Sequence, residues 1–162
     1  MHQGWISKIL RKFPNIEYIC IDKHCPGYRY PSYVKNGDIL KTNFPDNYFD
    51  IIICNHVLEH IKDDKTAIKE IYRITKKKGM AILMVPIDYD LDKTIEEEET
   101  ESLSSHEREL RFGQYDHVRQ YGTDYFDRLE NVGFEIKRGT YEHPIAESYG
   151  FQPGEELIIC SK

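Results

Sequence analysis

The chain has 162 residues, of which 40% are hydrophobic and 31% charged, with a net charge of −6. That length suits one domain around one core, and the composition is that of an ordinary soluble globular protein. An acidic balance without a Lys/Arg stripe interleaved with aromatics argues against a dedicated nucleic-acid binder, and no apolar run approaches the roughly 20 residues that span a bilayer.

The opening Met-His-Gln-Gly-Trp has no signal-peptide pattern, so a cytoplasmic location is expected. From there the apolar positions 5, 6, 9, 10 and 13 mark a helix face, closed by Pro14-Asn15. Ile16 to Ile21 reads as a short strand ending at Asp22, and after a Pro/Gly loop Tyr33-Val34-Lys35 reads as a weak strand closed by Asn36-Gly37-Asp38. Phe49–Cys54 shows no polar alternation after Asp50, as in a strand of a parallel sheet covered on both faces, and His56–His60 after it reads as a helix start.

Asp63–Thr75 predicts the clearest helix, with Ala67, Ile68, Ile71, Tyr72 and Ile74 on one face, Lys76-Lys77-Lys78 at its end and Gly79 as terminator. Met80–Val85 is a second buried strand, stopped by Pro86. Residues 88–120 are polar and irregular, with a short helix near Ser105–Arg111. Thr123 caps a helix running to Asn131, and Phe134–Tyr141 and Glu156–Cys160 are the last two strands. Alternating strands and helices give an α/β fold with a largely parallel sheet, whose ligands bind at the carboxyl ends of the strands. Cys20, Cys54 and Cys160 fall in these strands and read as small core hydrophobes; neither a zinc pair nor a disulfide framework fits the four cysteines.

Tyr18-Ile19-Cys20-Ile21-Asp22, Gly37-Asp38-Ile39, Phe44 to Asp50, His56-Val57-Leu58-Glu59-His60 and Ile74 to Gly79 together resemble class I S-adenosylmethionine-dependent methyltransferases of the methyltransferase type 11 group. The later Glu107–Gln114 and Asp116–Gly122 resemble one uncharacterised subgroup, so the resemblance runs over nearly the whole chain as a single methyltransferase-like domain, 1–162. It implies a Rossmann-like class I methyltransferase sheet with an antiparallel final strand. The family's first strand and glycine-rich turn have no counterpart before Gly4, so the chain reads as N-terminally truncated. The slot this leaves is expected to be filled by self-association, by pairing of the flanking strands, or by a partner segment.

By the resemblance, Asp22 meets the ribose hydroxyls of S-adenosylmethionine, Asp38 the adenine amino group with Ile39 beside the ring, and Asn55 and His56 the methionine part. A carboxylate suits two vicinal hydroxyl donors because it offers a pair of acceptors. The resemblance also implies that residues 88–120 are an insertion that caps the substrate; His117 within it is the candidate general base, and Arg119 and Tyr121 are candidate substrate contacts. The plainer alternative is a surface loop in which Asp116 pairs with Arg119 and Glu107 with Arg111. Glu96–Glu99 with Glu101 reads as a solvated charge run. The histidines at 24, 56, 60, 106, 117 and 143 show no strong metal spacing, so no metal is expected. The implied reaction is methyl transfer to a small-molecule or sugar-like acceptor. Its rival is an inactive methyltransferase-like remnant or partner subunit. A nucleotide-binding oxidoreductase leaves Phe44–Asp50 and His56–His60 unexplained.

Overall fold

The computed structural model describes residues 4–98, 102–140 and 156–162. Contacts divide the chain into two compact units, Met1–Asn43 and Phe44–Lys162.

In the first unit, helix α1 (Gly4–Leu10) is followed by strands β1 (Cys20–Asp22) and β2 (Val34–Asn36). The strands pair in parallel, with Cys20 opposite Val34 and Asp22 opposite Asn36. The buried Ser7 of α1 donates its hydroxyl to Tyr33 Oη at 3.3 Å, and Arg11 lies over the Tyr33 ring. Between the strands, His24 stacks on Tyr30 with ring centroids 4.0 Å apart. After β2 the chain turns back: the Gly37 N–H donates to Asp22 O, and a Cβ at Gly37 would press on the Ile21 side chain at 3.2 Å.

The second unit is built on a four-stranded sheet in the order β3-β4-β8-β7. Strands β3 (Phe49–Asn55) and β4 (Thr75–Met84) run parallel, joined through helix α2 (Asp64–Ile74). Strand β8 (Glu156–Ser161) is antiparallel to both β4 and β7 (Glu135–Thr140), as expected for the final strand. The segment between carries β5 (Ile95–Glu96), α3 (Ser105–Phe112), β6 (Arg119–Gln120) and α4 (Tyr125–Glu130), and β5 and β6 form a small antiparallel ladder inside the stretch expected to be irregular. No helix among the described residues is long and apolar enough to cross a membrane.

Local chemistry explains the elements. Asp63 caps α2 by accepting from the Thr66 N–H, and Ala67, Ile68, Ile71 and Ile74 recur at helical spacing and are buried. Cys54, Ala81, Leu83, Ile158 and Cys160 complete that core from the sheet, which bears out the reading of Cys54 and Cys160 as core hydrophobes. A reciprocal Ser104–Glu107 capping box starts α3, and Gly113 at φ 81° ends it.

Four local expectations give way. Gly79 does not terminate α2; Thr75 does, in extended conformation, with its hydroxyl donated to Ile71 O at 2.7 Å. Gly79 instead lies in a bulge of β4 where Lys78 takes φ 66°, and a Cβ there would be 2.9 Å from the carbonyl oxygens of Asp50 and Lys76. Strand β3 is not covered on both faces: it has β4 as its one strand neighbour among the described residues, and Ile51 is 56% exposed. His56–His60 does not open a regular helix; His56 adopts φ 54° and Leu58–His60 forms a single 3₁₀ turn. Thr123 does not cap α4. That position falls to Asp124, whose carboxylate accepts from Thr94, while the Thr123 hydroxyl donates to Asp92 O. Tyr141 and His143 lie outside the described residues.

Candidate functional site

In the first unit the parallel register brings Asp22 and Asp38 to the same edge. Asp22 ends β1 opposite Asn36, and Asp38 follows β2 by two residues. The Asp22 side chain is exposed. Asp38 Oδ1 accepts from the Leu40 N–H at 3.0 Å and Oδ2 from Lys23 Nζ at 2.8 Å, and these bonds, the lysine's first, hold its carboxyl below the usual carboxylate range. Ile39 is half-buried within the turn so formed.

In the second unit Asn55 closes β3, with Oδ1 buried and without a hydrogen-bond partner among the described residues. The next residue, His56, donates its backbone N–H to Met84 O at 2.8 Å, so the strand ladder takes that donor and the exposed side chain projects from a left-handed turn.

The segment from Asp116 to Tyr121 packs on the chain just past the carboxyl ends of β3 and β4. The Val118 N–H donates to Glu59 O, the Asp88 N–H to Tyr121 O, and Ile87 bridges Tyr121 in parallel. An open cleft of about 490 Å³ is lined there by Asp88, Phe112, His117, Arg119 and Gln120. His117 is 9% exposed, and its Nδ1 lies 3.2 Å from the Phe112 carbonyl oxygen. A carbonyl only accepts, so Nδ1 carries the proton and Nε2 keeps the lone pair.

Arg119 and Tyr121, read from sequence as substrate contacts, are drawn into the scaffold. Arg119 is 2% exposed and ion-paired to Asp64; Tyr121 is fully buried and donates its hydroxyl to Asp64 Oδ2 at 2.8 Å. Arg128 reaches the same carboxylate oxygen at 2.9 Å. Burial pushes the Tyr121 and Tyr125 phenols far up, so both stay protonated. The alternative surface pairs do not form either. Asp116 lies against His60, Arg119 against Asp64 and Glu96, and Glu107 is spent on the Ser104 cap.

Nor is the acidic run merely solvated. Glu96 pairs with Arg128, and the Glu97 side chain, 1% exposed, accepts from Arg108 at 3.0 Å and from the Leu103 N–H. Glu99 and Glu101 lie outside the described residues. Asp64 and Glu97 are thus each matched with an arginine, the arrangement that makes burying charge tolerable.

One grouping was not visible in the sequence. Glu59, His60 and His117 each place a donor atom within 4.8 Å of the others. The motif His56-Val57-Leu58-Glu59-His60 contains two of these residues, but only folding brings His117 against them, with the His60 and His117 rings 4.8 Å apart and edge to face. Glu59 is 1% exposed; its Oε1 lies 3.4 Å from His56 Nδ1, and its Oε2 is buried without a hydrogen-bond partner among the described residues.

Residues 3–83 match the sequence profile of a methyltransferase domain. Over 62 residues the chain is 44% identical to an uncharacterized protein of Methanocaldococcus jannaschii, a match covering 38% of this chain and 26% of that protein. Over 43 residues it is 46% identical to an uncharacterized methyltransferase of Schizosaccharomyces pombe, covering 26% of this chain and 16% of that protein. The chain thus spans about a quarter or less of the curated relatives it matches. Among solved structures, a complex of the Haloferax volcanii Trm112 methyltransferase activator with a methyltransferase aligns at a TM-score of 0.59 and 15% identity, covering 98% of this chain and 78% of that chain. At that identity the likeness shows the fold, a Rossmann-like mixed sheet.

Proposed function

The chain belongs to the methyltransferase-domain family, and we propose that it transfers a methyl group from S-adenosylmethionine to a small-molecule or sugar-like acceptor. The observation that carries this reading is the parallel pairing of β1 and β2, which sets the Asp22 and Asp38 carboxylates at one edge of adjacent strands. Both residues suit the nucleoside part of the cofactor. Asp22 is an exposed acceptor pair for two vicinal hydroxyls, and Asp38 is held ionised and fixed by its own turn. Ile39 supplies apolar surface beside that turn. Asn55 is the acceptor assigned to the methionine part, since its buried Oδ1 has no partner among the described residues, and His56 is assigned there through its side chain.

S-adenosylmethionine, when bound, supplies a sulfonium methyl group; the protein's task is to orient the acceptor's lone pair and exclude water. The cleft beside His117 is the acceptor site in this reading. His117 acts on the acceptor's nucleophile through Nε2, the basic nitrogen its bond to Phe112 O leaves available. Asp88 and Gln120 offer polar contacts to a hydroxylated molecule. Arg119 and Tyr121 fix the segment that carries His117, so their contribution to acceptor binding is made by position.

The rival reading, a partner subunit, is favoured by the edge of β3 that has no strand neighbour among the described residues, and by the exposed Ile51, since unpaired strand edges invite another strand. A second copy or a partner segment is the proposed occupant. Titration calorimetry of the full chain with S-adenosylmethionine separates the two. Saturable binding, weakened in Asp22→Ala by about 1–3 kcal/mol, is the expected result. Absence of binding by the wild-type chain rejects the enzyme reading.

A further inference from the structure

We propose that Glu59, His60 and His117 bind a divalent first-row transition-metal ion, with Zn²⁺ the ion best suited to two imidazoles and one carboxylate. The inference rests on the reading of the neighbouring cleft as the acceptor site and deepens it.

Three features converge. The donor atoms are already within 4.8 Å of one another. An ion at the centre of such a triangle lies within about 2.8 Å of each, so contraction to the 2.0–2.2 Å of zinc bonds takes side-chain shifts of less than about 1 Å.

Both rings, moreover, have one nitrogen engaged by a backbone carbonyl, as metal-binding imidazoles commonly do. His117 Nδ1 is bonded to Phe112 O at 3.2 Å and His60 Nδ1 to Asp116 O at 3.2 Å. Each carbonyl fixes the proton on Nδ1, leaves the Nε2 lone pair for a ligand and sets the plane of the ring. Asp116 Oδ2, 3.5 Å from His60 Nδ1, reinforces that orientation.

The third feature is Glu59 itself. A carboxylate with one oxygen buried and, among the described residues, unpartnered carries a desolvation cost that a bound cation would offset. Its other oxygen faces His56, an outer partner of the kind that orients a ligating carboxylate. Its backbone carbonyl is tied to Val118, which locks the 3₁₀ turn to the segment carrying His117.

Three protein ligands leave at least one coordination position for an outside molecule, which is the pattern of a reactive rather than a structural ion. His117 belongs both to this triad and to the cleft wall, so that position opens toward the cleft. An acceptor hydroxyl bound there would release its proton to solvent water more readily, and His117 would then act on the nucleophile through the ion rather than by taking the proton itself.

The test uses the full chain, stripped of metal with a chelator. Titration with Zn²⁺ should give one equivalent per chain, and Co²⁺ should develop the visible absorption of a four- or five-coordinate site. Glu59→Gln, His60→Ala and His117→Ala should each weaken Zn²⁺ by about a hundredfold or more, whereas His106→Ala, an exposed histidine of α3, should not. Should the ligand variants fail to fold, nitrogen NMR of the unmodified protein decides: Zn²⁺ should shift Nε2 of His60 and His117 and leave that of His106 in place. Absence of stoichiometric binding, binding unaffected by His60→Ala and His117→Ala, or shifts at other histidines overturns the proposal. None of these readings involves S-adenosylmethionine, so the metal site and the cofactor site fail or stand separately.

Discussion

Asp38 and Asp64 are both carboxylates bonded to a basic side chain, yet the two units use them in opposite ways. Asp38 stands at a strand end with its side chain 36% exposed, held by one lysine and one backbone N–H. Asp64 is 2% exposed and serves Arg119, Arg128 and the Tyr121 hydroxyl at once. An exposed acid exchanges its partner for a ligand at little cost, because water compensates either state. A buried acid shared by two arginines cannot, since removing any member leaves charge in a low-dielectric surrounding. The first arrangement suits recognition. The second holds in register the segment that lines the cleft.

The largest effect should come from cutting that hub. Asp64→Ala leaves Arg119 and Arg128 facing each other without their shared counter-charge and strands the Tyr121 hydroxyl. A loss of about 3–5 kcal/mol in urea unfolding is expected. A loss below about 1 kcal/mol would show that Glu96 alone, which also contacts both arginines, is sufficient, and the contrast between the units would collapse.

Backbone approach gives the next effect. Gly122 lies where a Cβ would meet Leu91 O at 2.6 Å and Lys93 C at 2.8 Å. Both are main-chain atoms that no rotamer change moves aside. Gly122→Ala should cost about 1–3 kcal/mol in the same assay and loosen the turn that leads from β6 into α4. Gly113→Ala offers a clean comparison, since nothing lies within 4 Å of its Cβ and only the left-handed backbone is strained.

How much of this was legible depends on how far apart in sequence the partners lie. The α2 face, from Ala67 to Ile74, and the β3 and β4 runs were readable because local periodicity and apolar runs report burial directly. Asp22 and Asp38 were readable as strand-end residues for the same reason, and their shared edge follows from parallel pairing. The fate of Arg119 was not. Its partner Asp64 sits on α2, and the nearby Asp116 that looked like its mate turned to His60 instead. The joining of Glu59 and His60 to His117 was hidden likewise, because each is ordinary until the Val118–Glu59 backbone bond brings them together. Sequence displayed the strand-end acids of the first unit and concealed the mutual pairing of charges in the second.

A smaller effect tests Glu97, the covered acid of the presumed solvated run. Its carboxyl is held below the ordinary range chiefly by its bond to Arg108. A carboxyl lowered on folding contributes stability that is complete above its unfolded value, about 4.3, and is lost as pH falls through the folded value. Glu97→Gln should therefore cost about 1 kcal/mol at neutral pH. The difference from wild type should shrink below pH 4 or so. A difference that stays constant through the acid range would mean that the amide lost packing rather than charge.

The smallest effect is expected at Lys23, and it sharpens the contrast best. Its ammonium is exposed, and its bond to Asp38 is the first cause of that carboxyl's lowering. Exposed pairs of this kind contribute little to folding because water and salt compete for both members. Lys23→Met should leave the urea midpoint at neutral pH unchanged within error, while the Asp38 carboxyl, followed by NMR, should titrate higher than in wild type. It should still titrate below the ordinary range, because the Leu40 N–H continues to donate to Oδ1. The linkage sign follows. The lowered Asp38 stabilises the fold above its unfolded value and ceases to do so as pH falls through its folded value, so any cost of Lys23→Met appears only on the neutral side. If S-adenosylmethionine competes with Lys23 for Oδ2, the variant should bind it at least as well as wild type does. A marked loss of affinity would mean that Lys23 presents the carboxylate rather than occupies it, and that the first unit, like the second, builds its acids into a fixed pair.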